Sequence, residues 1–395
     1  MATQLPEFYQ SVPDTFAWFH QHPELPFEEY ETTACIRSFL EHHGVAIIPL
    51  DLKTGLVAEI HGEHPGPIIA LRCDIDALPI QEESGLPYTS QTPGKMHACG
   101  HDFHTTVMLY VAKALYDNRS ALHGTVKVFF QPAEECAGGA LELIKTGVLD
   151  DVAAIYGIHT DISMPVGTVG IASGGVMAAV DRFVVTLTGK GTHAAHPHEG
   201  IDIVLVASQI VTSAQSIVSR NIDPFSQGLL SITRMTAGNT WNVIPSTAEL
   251  EGTVRTMSKA NRTLMEARFR TLVDHVALSQ GAKAEIQWMA GPPPTVNAPC
   301  FEPLVTSVAK AQGLTVDRGH PSLGGEDFAF YQERIPGFFI RIGTGESYPN
   351  HHPKFKVDPA ALAPAISYLA AMAEQSLLEI KDGRLTPAQR EDSLD

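Results

Sequence analysis

Cysteine is scarce in this 395-residue chain, with five residues at positions 35, 73, 99, 136 and 300. An odd number without paired spacing argues against a disulfide framework and suits a reducing compartment. Clusters of positive charge are absent too. Lys and Arg total 27 against 44 Asp and Glu, a formal charge of −17, which argues against nucleic acid or an anionic membrane surface as a partner. The opening MATQLPEFYQ lacks a basic segment followed by an apolar one, and no later apolar run approaches the ~20 residues of a membrane span. A cytoplasmic protein with no membrane partner is expected. Internal repeats and low-complexity tracts are missing as well.

What is present points to a large catalytic chain. Hydrophobic residues make up 44% of the sequence, ample for buried cores, and the length exceeds what one core usually organises, so two domains are expected. The densest chemistry lies in Met96–Thr105, MHACGHDFHT, which packs Cys99, His101 and His104, with His97, into ten residues. A thiolate and imidazoles are what a borderline-soft transition metal prefers. A His-rich helix start is the alternative, because Gly100 allows a tight turn, Asp102 can cap, and Val107, Met108, Val111 and Leu115 recur at helical spacing.

Partners downstream favour the metal. Glu134 and Glu135 follow the apolar run Thr125–Phe130, His159 follows Val152–Ile158, and His351-His352-Pro353 lies near the C-terminal end. Acidic and imidazole groups just after short apolar runs are where an open α/β sheet places ligands, at the carboxyl ends of its strands. So many ligands exceed the needs of one tetrahedral zinc and suit a two-metal site. His20, His22, His42 and His43 sit in a helical N-terminal pattern from Pro6 to Gly44 and are not expected to be ligands, since none follows a strand beside an acidic or thiol partner. Cys35 and Cys300 read as packing residues.

Strand-like runs at Leu56–Ile60, Ile68–Arg72, Gly124–Phe130 and Ala153–His159 alternate with helices at His104–Tyr116 and Gly139–Thr146. This predicts an α/β domain whose mostly parallel sheet carries helices on both faces. From Asp181 the order becomes β-α-β-β-α-β around helices at Ile201–Ser219 and Ser258–Ser279, the split βαβ pattern of an inserted ferredoxin-like α+β lid. Gly291-Pro292-Pro293-Pro294 marks its exit as a stiff linker. The expected organisation is therefore a discontinuous catalytic domain, 1–180 and 292–395, with a lid over 181–291. Helices at Phe301–Gln312 and Ala360–Ile380 and the strand GFFIRIG complete the first domain, with a polar tail from Lys381.

The motifs MHACGHDFHT, QPAEE, GIHT, GKGTHAAHPHEGID, NVIP and NHHPKF fall in order along nearly the whole chain. Together they resemble the aminoacylase, hippurate hydrolase and auxin-conjugate hydrolase branch of the di-metal aminopeptidase and carboxypeptidase superfamily. That resemblance implies two divalent ions per subunit (zinc, manganese, cobalt or nickel), with Cys99, His101, Glu135, His159 and His352 as ligands. It implies Glu134 as general base, taking a proton from the attacking water and passing it to the leaving nitrogen. Asp76 would orient a ligating histidine from behind, while Asp74 is either such a group or a solvated loop carboxylate. His193 would face the scissile carbonyl or its oxyanion, and Asn242 and Arg255 would hold the substrate, Arg255 through a carboxylate.

The implied reaction is hydrolysis of N-acyl amino acids or amino-acid conjugates to a free amino acid and a carboxylic acid, by a homodimer joined through the lid. A dipeptidase or carboxypeptidase uses the same chemistry, and a non-catalytic metal-buffering or thiol redox protein is the alternative from another class. Three positions depart from the family pattern: Phe103 and Cys136 stand where glycine is usual, and His196 where methionine is. Phe103 would add apolar surface near the pocket, Cys136 a competing thiol, and His196 a polar contact in the lid loop.

Overall fold

The computed structural model describes residues 11–388; the predicted helical start at Pro6 and the tail beyond residue 388 lie outside them. The chain divides into two compact units. The first takes the described residues up to Gly174, then Val296–His320, then those from Asp327 onward, and the second comprises Gly175–Thr295 and Pro321–Glu326. The second is wider than 181–291. Pro321–Glu326 joins it because Ala178 N–H donates to Ser322 O at 3.1 Å and Ser322 N–H to Val176 O at 2.9 Å.

The first unit is organised by an eight-stranded sheet. Its order is Ala46–Ile48, Leu56–His61, His123–Gln131, His64–Asp74, Ala154–Asp161, Gly337–Gly343, Thr168–Gly170 and Thr315–Asp317. The four pairings His64–Asp74 with His123–Gln131 and with Ala154–Asp161, Ala154–Asp161 with Gly337–Gly343, and Thr168–Gly170 with Thr315–Asp317 are parallel; the other three are antiparallel. Period-two alternation shows that both faces are covered. Ile69, Leu71 and Cys73, with Val126, Val128 and Phe130, join the main core with Val107, Val111, Leu369 and Met372 from helices His101–Asp117 and Leu362–Lys381. The intervening Arg72 and Gln131 are equally buried but face Asp327 and Tyr331.

Register puts Asp74 opposite Gln131, and His159 opposite Arg341. The chain segments holding Asp76, Glu134, Glu135 and His159 therefore emerge at the carboxyl ends of neighbouring parallel strands, where such sheets bind ligands.

The second unit has a four-stranded antiparallel sheet in the order Gly228–Ala237, Thr247–Thr256, Ala179–Thr188, Lys283–Ala290. With helices Ile203–Asn221 and Lys259–Ser279 between the strands, this is the ferredoxin-like arrangement. One face buries Phe183, Val185 and Leu187 against Ile210, Ala214, Phe269 and Val273. The other carries charged pairs such as Arg182–Glu251 and Arg234–Glu251.

Helix Ile203–Asn221 is long and apolar enough, by length and composition, to cross a membrane, which the sequence pattern did not suggest. In the fold it is a core helix: Ile203, Val206, Ala207, Ile210, Ala214 and Ile217 are buried in the second unit.

Candidate metal centre

The centre is built where three strand ends meet one helix start. Gly100, at φ +89°, opens helix His101–Asp117, and a side chain there would come within 2.8 Å of Thr160. Only glycine turns the chain so closely against that strand end. Thr160 then locks the motif in place: its hydroxyl donates to Cys99 O at 3.0 Å and its N–H to His104 Nε2 at 2.9 Å. Cys99 is thereby placed beside His159, the neighbour of Thr160 on strand Ala154–Asp161, with Sγ 3.4 Å from His159 Nε2.

Each imidazole is aimed by the bond at its other nitrogen. His101 donates Nδ1–H to Asp76, 2.9 Å to the carbonyl and 3.3 Å to Oδ1, and His159 donates Nδ1–H to Thr160 O at 2.8 Å. Both leave Nε2 facing inward, the supporting geometry typical of metal-ligating histidines. Asp76 also accepts from Glu135 N–H at 3.0 Å, so one carboxylate aligns two of the converging groups.

Glu134–Cys136 forms a tight turn between Ala133 and Ala137, both in left-handed conformation at φ +54° and +55°. Such backbone is costly outside glycine and is held by its surroundings. Glu29 is part of that hold, accepting from Ala133 N–H at 2.8 Å and from the Thr54 hydroxyl at 2.7 Å. Burial pushes the Glu29 carboxyl up to about 7 against those hydrogen bonds.

Two overlapping trios result: Cys99, His101 and His159, and Cys99, Glu135 and His351, the ligand atoms of each within 4.8 Å of one another. His101, Glu134 and Glu135 form a third. Burial, with neighbouring His104, drives His159 down to about 3, so it is a neutral ligand-competent imidazole. Burial and the charge of Glu135 push the Cys99 thiol up to about 12, so a cation is what would hold it as thiolate. His101 Nε2 is buried without a hydrogen-bond partner, a cost of ~1–3 kcal/mol. This orphaned donor atom and a mixed S, N and O set fit divalent transition cations.

The sequence model of peptidase family M20/M25/M40 matches residues 70–375. The chain belongs to that family. An N-acetylcysteine deacetylase of Bacillus subtilis (strain 168) is 47% identical over 363 residues, covering 92% of this chain and 96% of that protein. An N-acetyl-L-cysteine deacetylase of the same organism is 45% identical over 367 residues, covering 93% and 88%. The crystal structure of the Bacillus subtilis YXEP protein, a dinuclear metal binding peptidase from the M20 family, superposes with a TM-score of 0.86 at 42% identity, covering 94% of this chain and 99% of that one.

Within this M20 protein the sequence reading needs correction at several residues. His351, not His352, reaches the centre: its Nε2 lies 3.3 Å from Glu135 Oε1. His352 stacks on Tyr348, with ring centroids 4.6 Å apart, and accepts from Lys354 N–H at 3.0 Å. The choice is made by backbone, since His351 has φ +66° and its N–H donates to Ala98 O at 2.8 Å. Asp74 is fully buried, not solvated, bonded to His104 Nδ1 at 2.5 Å and Arg72 Nη1 at 2.8 Å. His104, with both nitrogens engaged, supports the centre from behind. Phe103 belongs to the main core. Cys136 is exposed, with Sγ 3.6 Å from Ala133 O, and burial with nearby Asp76 raises its thiol pKa.

His20 has a structural role. It is buried between Asp102 Oδ2 at 2.6 Å and Glu82 Oε1 at 3.1 Å, and despite burial these bonds raise it to about 9. Nothing in the sequence marks Glu82 or Glu29 as its tertiary role requires. Arg72 did carry a signal: a charge inside a buried parallel strand demands partners. It finds Asp74, Gln131 and Asp327, the last at 2.6 Å.

In the second unit, Thr192–His193 pairs with Val243–Ile244, and Ala194 N–H donates to Asn242 O at 3.1 Å, so the GKGTH and NVIP motifs adjoin. His193 is exposed, its Nδ1 accepting from Ala195 N–H at 3.0 Å. Arg255 lies on another strand, opposite Leu229 and Val180, its guanidinium donating to Thr253 and Val254.

Proposed function

We propose that this protein is a metal-dependent amidohydrolase that cleaves N-acyl amino acids, short N-acyl groups such as acetyl included, to a free amino acid and a carboxylic acid. The observation that carries the reading is the pair of trios sharing Cys99, in a chain two of whose relatives are named as deacetylases of an N-acetyl amino acid. Cys99, His101, Glu135, His159 and His351 would hold two divalent ions, which when bound polarise the carbonyl and lower the pKa of water.

Glu134 accepts the proton of the attacking water and delivers it to the leaving nitrogen. Asp76 keeps His101 in one tautomer and aligns Glu135 through its N–H. His193 donates to the developing oxyanion, while Asn242 and Arg255 hold the amino-acid carboxylate. The protein is assigned to the cytoplasm, in keeping with five free cysteines. It is assigned as a homodimer through the second unit, whose edge strand Gly228–Ala237 exposes Met235 and which also exposes Val204, Leu205, Trp241 and Val243.

The test is a panel of N-acetyl and N-benzoyl amino acids beside dipeptides, assayed before chelation, after it, and with zinc, manganese, cobalt or nickel restored. Acyl amino acids should be cleaved, with activity lost on chelation and regained with metal. Cleavage of dipeptides alone would make it a peptidase, and reversible thiol oxidation without hydrolysis would make it a redox protein.

A further inference from the structure

The second unit carries a group of ligand-bearing side chains that the proposed reaction does not use. His196, His198 and Glu199 lie together on one short loop, all exposed, each offering one ligand atom, and these atoms all lie within 4.8 Å of one another. The rings of His196 and His198 have centroids 6.1 Å apart, and His198 Nε2 is 4.0 Å from Glu199 Oε1. We infer that this loop is an additional binding site for a divalent transition cation, zinc, nickel or copper, separate from the centre around Cys99.

The backbone holds the three residues in place. Pro197 opens a single 3₁₀ turn, Pro197–Glu199. Glu199 N–H donates to His196 O at 3.1 Å, Gly200 N–H to Pro197 O at 3.2 Å, and Ile201 N–H to Lys190 O at 2.8 Å. The Thr192 hydroxyl also donates to His196 O, at 3.3 Å. Two metal–ligand bonds of ~2.1 Å span at most about 4.2 Å between ligand atoms, so any pair of the trio lying farther apart than that must draw closer. Side chains as exposed as His198 at 75% and Glu199 at 61% can do this by rotation alone.

Two imidazoles and one carboxylate select the class of ion. Calcium and magnesium need shells built of oxygen, which this loop does not offer. Nitrogen-rich sets favour nickel, copper and zinc, with copper the tightest. A bound ion would also act on its neighbourhood, because His196 N–H donates to His193 O at 2.8 Å and the two rings lie 5.6 Å apart. Fixing His196 therefore restrains the segment that carries His193. The binding itself rests on the geometry of this loop and not on the proposed reaction.

The experiment counts metal on the holoenzyme. Wild-type protein carrying its tightly held ions is brought to equilibrium dialysis against increasing free zinc, and bound zinc per chain is measured by elemental analysis beside the His196→Ala/His198→Ala double variant. The wild type should saturate with one equivalent more than the variant, and the tightly held metal should be equal in both. Copper(II) added to the same two proteins should give a resonance spectrum with nitrogen splitting in the wild type that is lost in the variant. Equal zinc uptake by the two proteins, or identical copper spectra, would overturn the site. Neither readout depends on turnover, so failure of the proposed activity leaves this test intact.

Discussion

His351 points its Nε2 at the Oε1 of Glu135 across 3.3 Å, while the histidine next to it in sequence turns away to stack on Tyr348. Two adjacent imidazoles thus have unequal prospects as ligands. His351→Ala should lower metal affinity by more than the roughly 10- to 100-fold that loss of a ligand's supporting partner costs, and turnover with it. His352→Ala should keep its metal. Elemental analysis after dialysis separates the two, and loss of metal from the His352 variant alone would reverse the assignment.

The adjacent carboxylates divide differently. Glu135 belongs to both the Cys99–His351 trio and the group with His101, and Glu134 joins the latter. Glu134→Gln should keep metal and lose turnover by about 10²- to 10⁴-fold, the range for a general base. Glu135→Gln should lose metal as well. The opposite pattern of metal content would exchange their roles.

Stability should depend on pH through His20. Its pKa is about 9 in the fold against 6.5 as the ordinary value, so between those values the folded state holds more protons than the unfolded one. The stabilisation is fully present below pH 6.5 and is lost as pH rises through 9, at most about 3 kcal/mol from a difference of this size. Urea midpoints of wild type and His20→Gln should therefore converge as pH rises from 6.5 to 9. A gap that stays constant would mean that His20 is held neutral.

Arg72 is the residue whose removal should cost the fold most. Arg72→Met leaves Asp74 and Asp327 buried without their cation, which should cost about 3–5 kcal/mol. Combining it with Asp327→Asn should recover part of that loss, since one of the uncompensated charges goes too. Denaturant midpoints measure both. A single variant within about 0.5 kcal/mol of wild type would show that the network carries little stability.

Much of this was legible in the chain itself. Apolar runs of strand length ending in Asp, Glu or His placed Asp76, Glu134, Glu135 and His159 at strand ends, and the helix start after Gly100 placed Cys99 and His101, because strand polarity and helix initiation are local properties. The β-α-β-β-α-β order was read in the same way, from periods of two and of 3.6. Tertiary structure decided the rest. Arg72 and Asp327 are 255 positions apart and meet only because one face of the sheet closes over both. Between an orienting group and a loop carboxylate, Asp74 is decided by the packing of His104 and Arg72 on it. His351 and His352 are the same residue type side by side, and what separates them is a left-handed backbone at His351 together with a hydrogen bond to Ala98. Local sequence determines which residues can ligate and roughly where the chain turns. Which of them converge is set by long-range packing, whose partners no local pattern names.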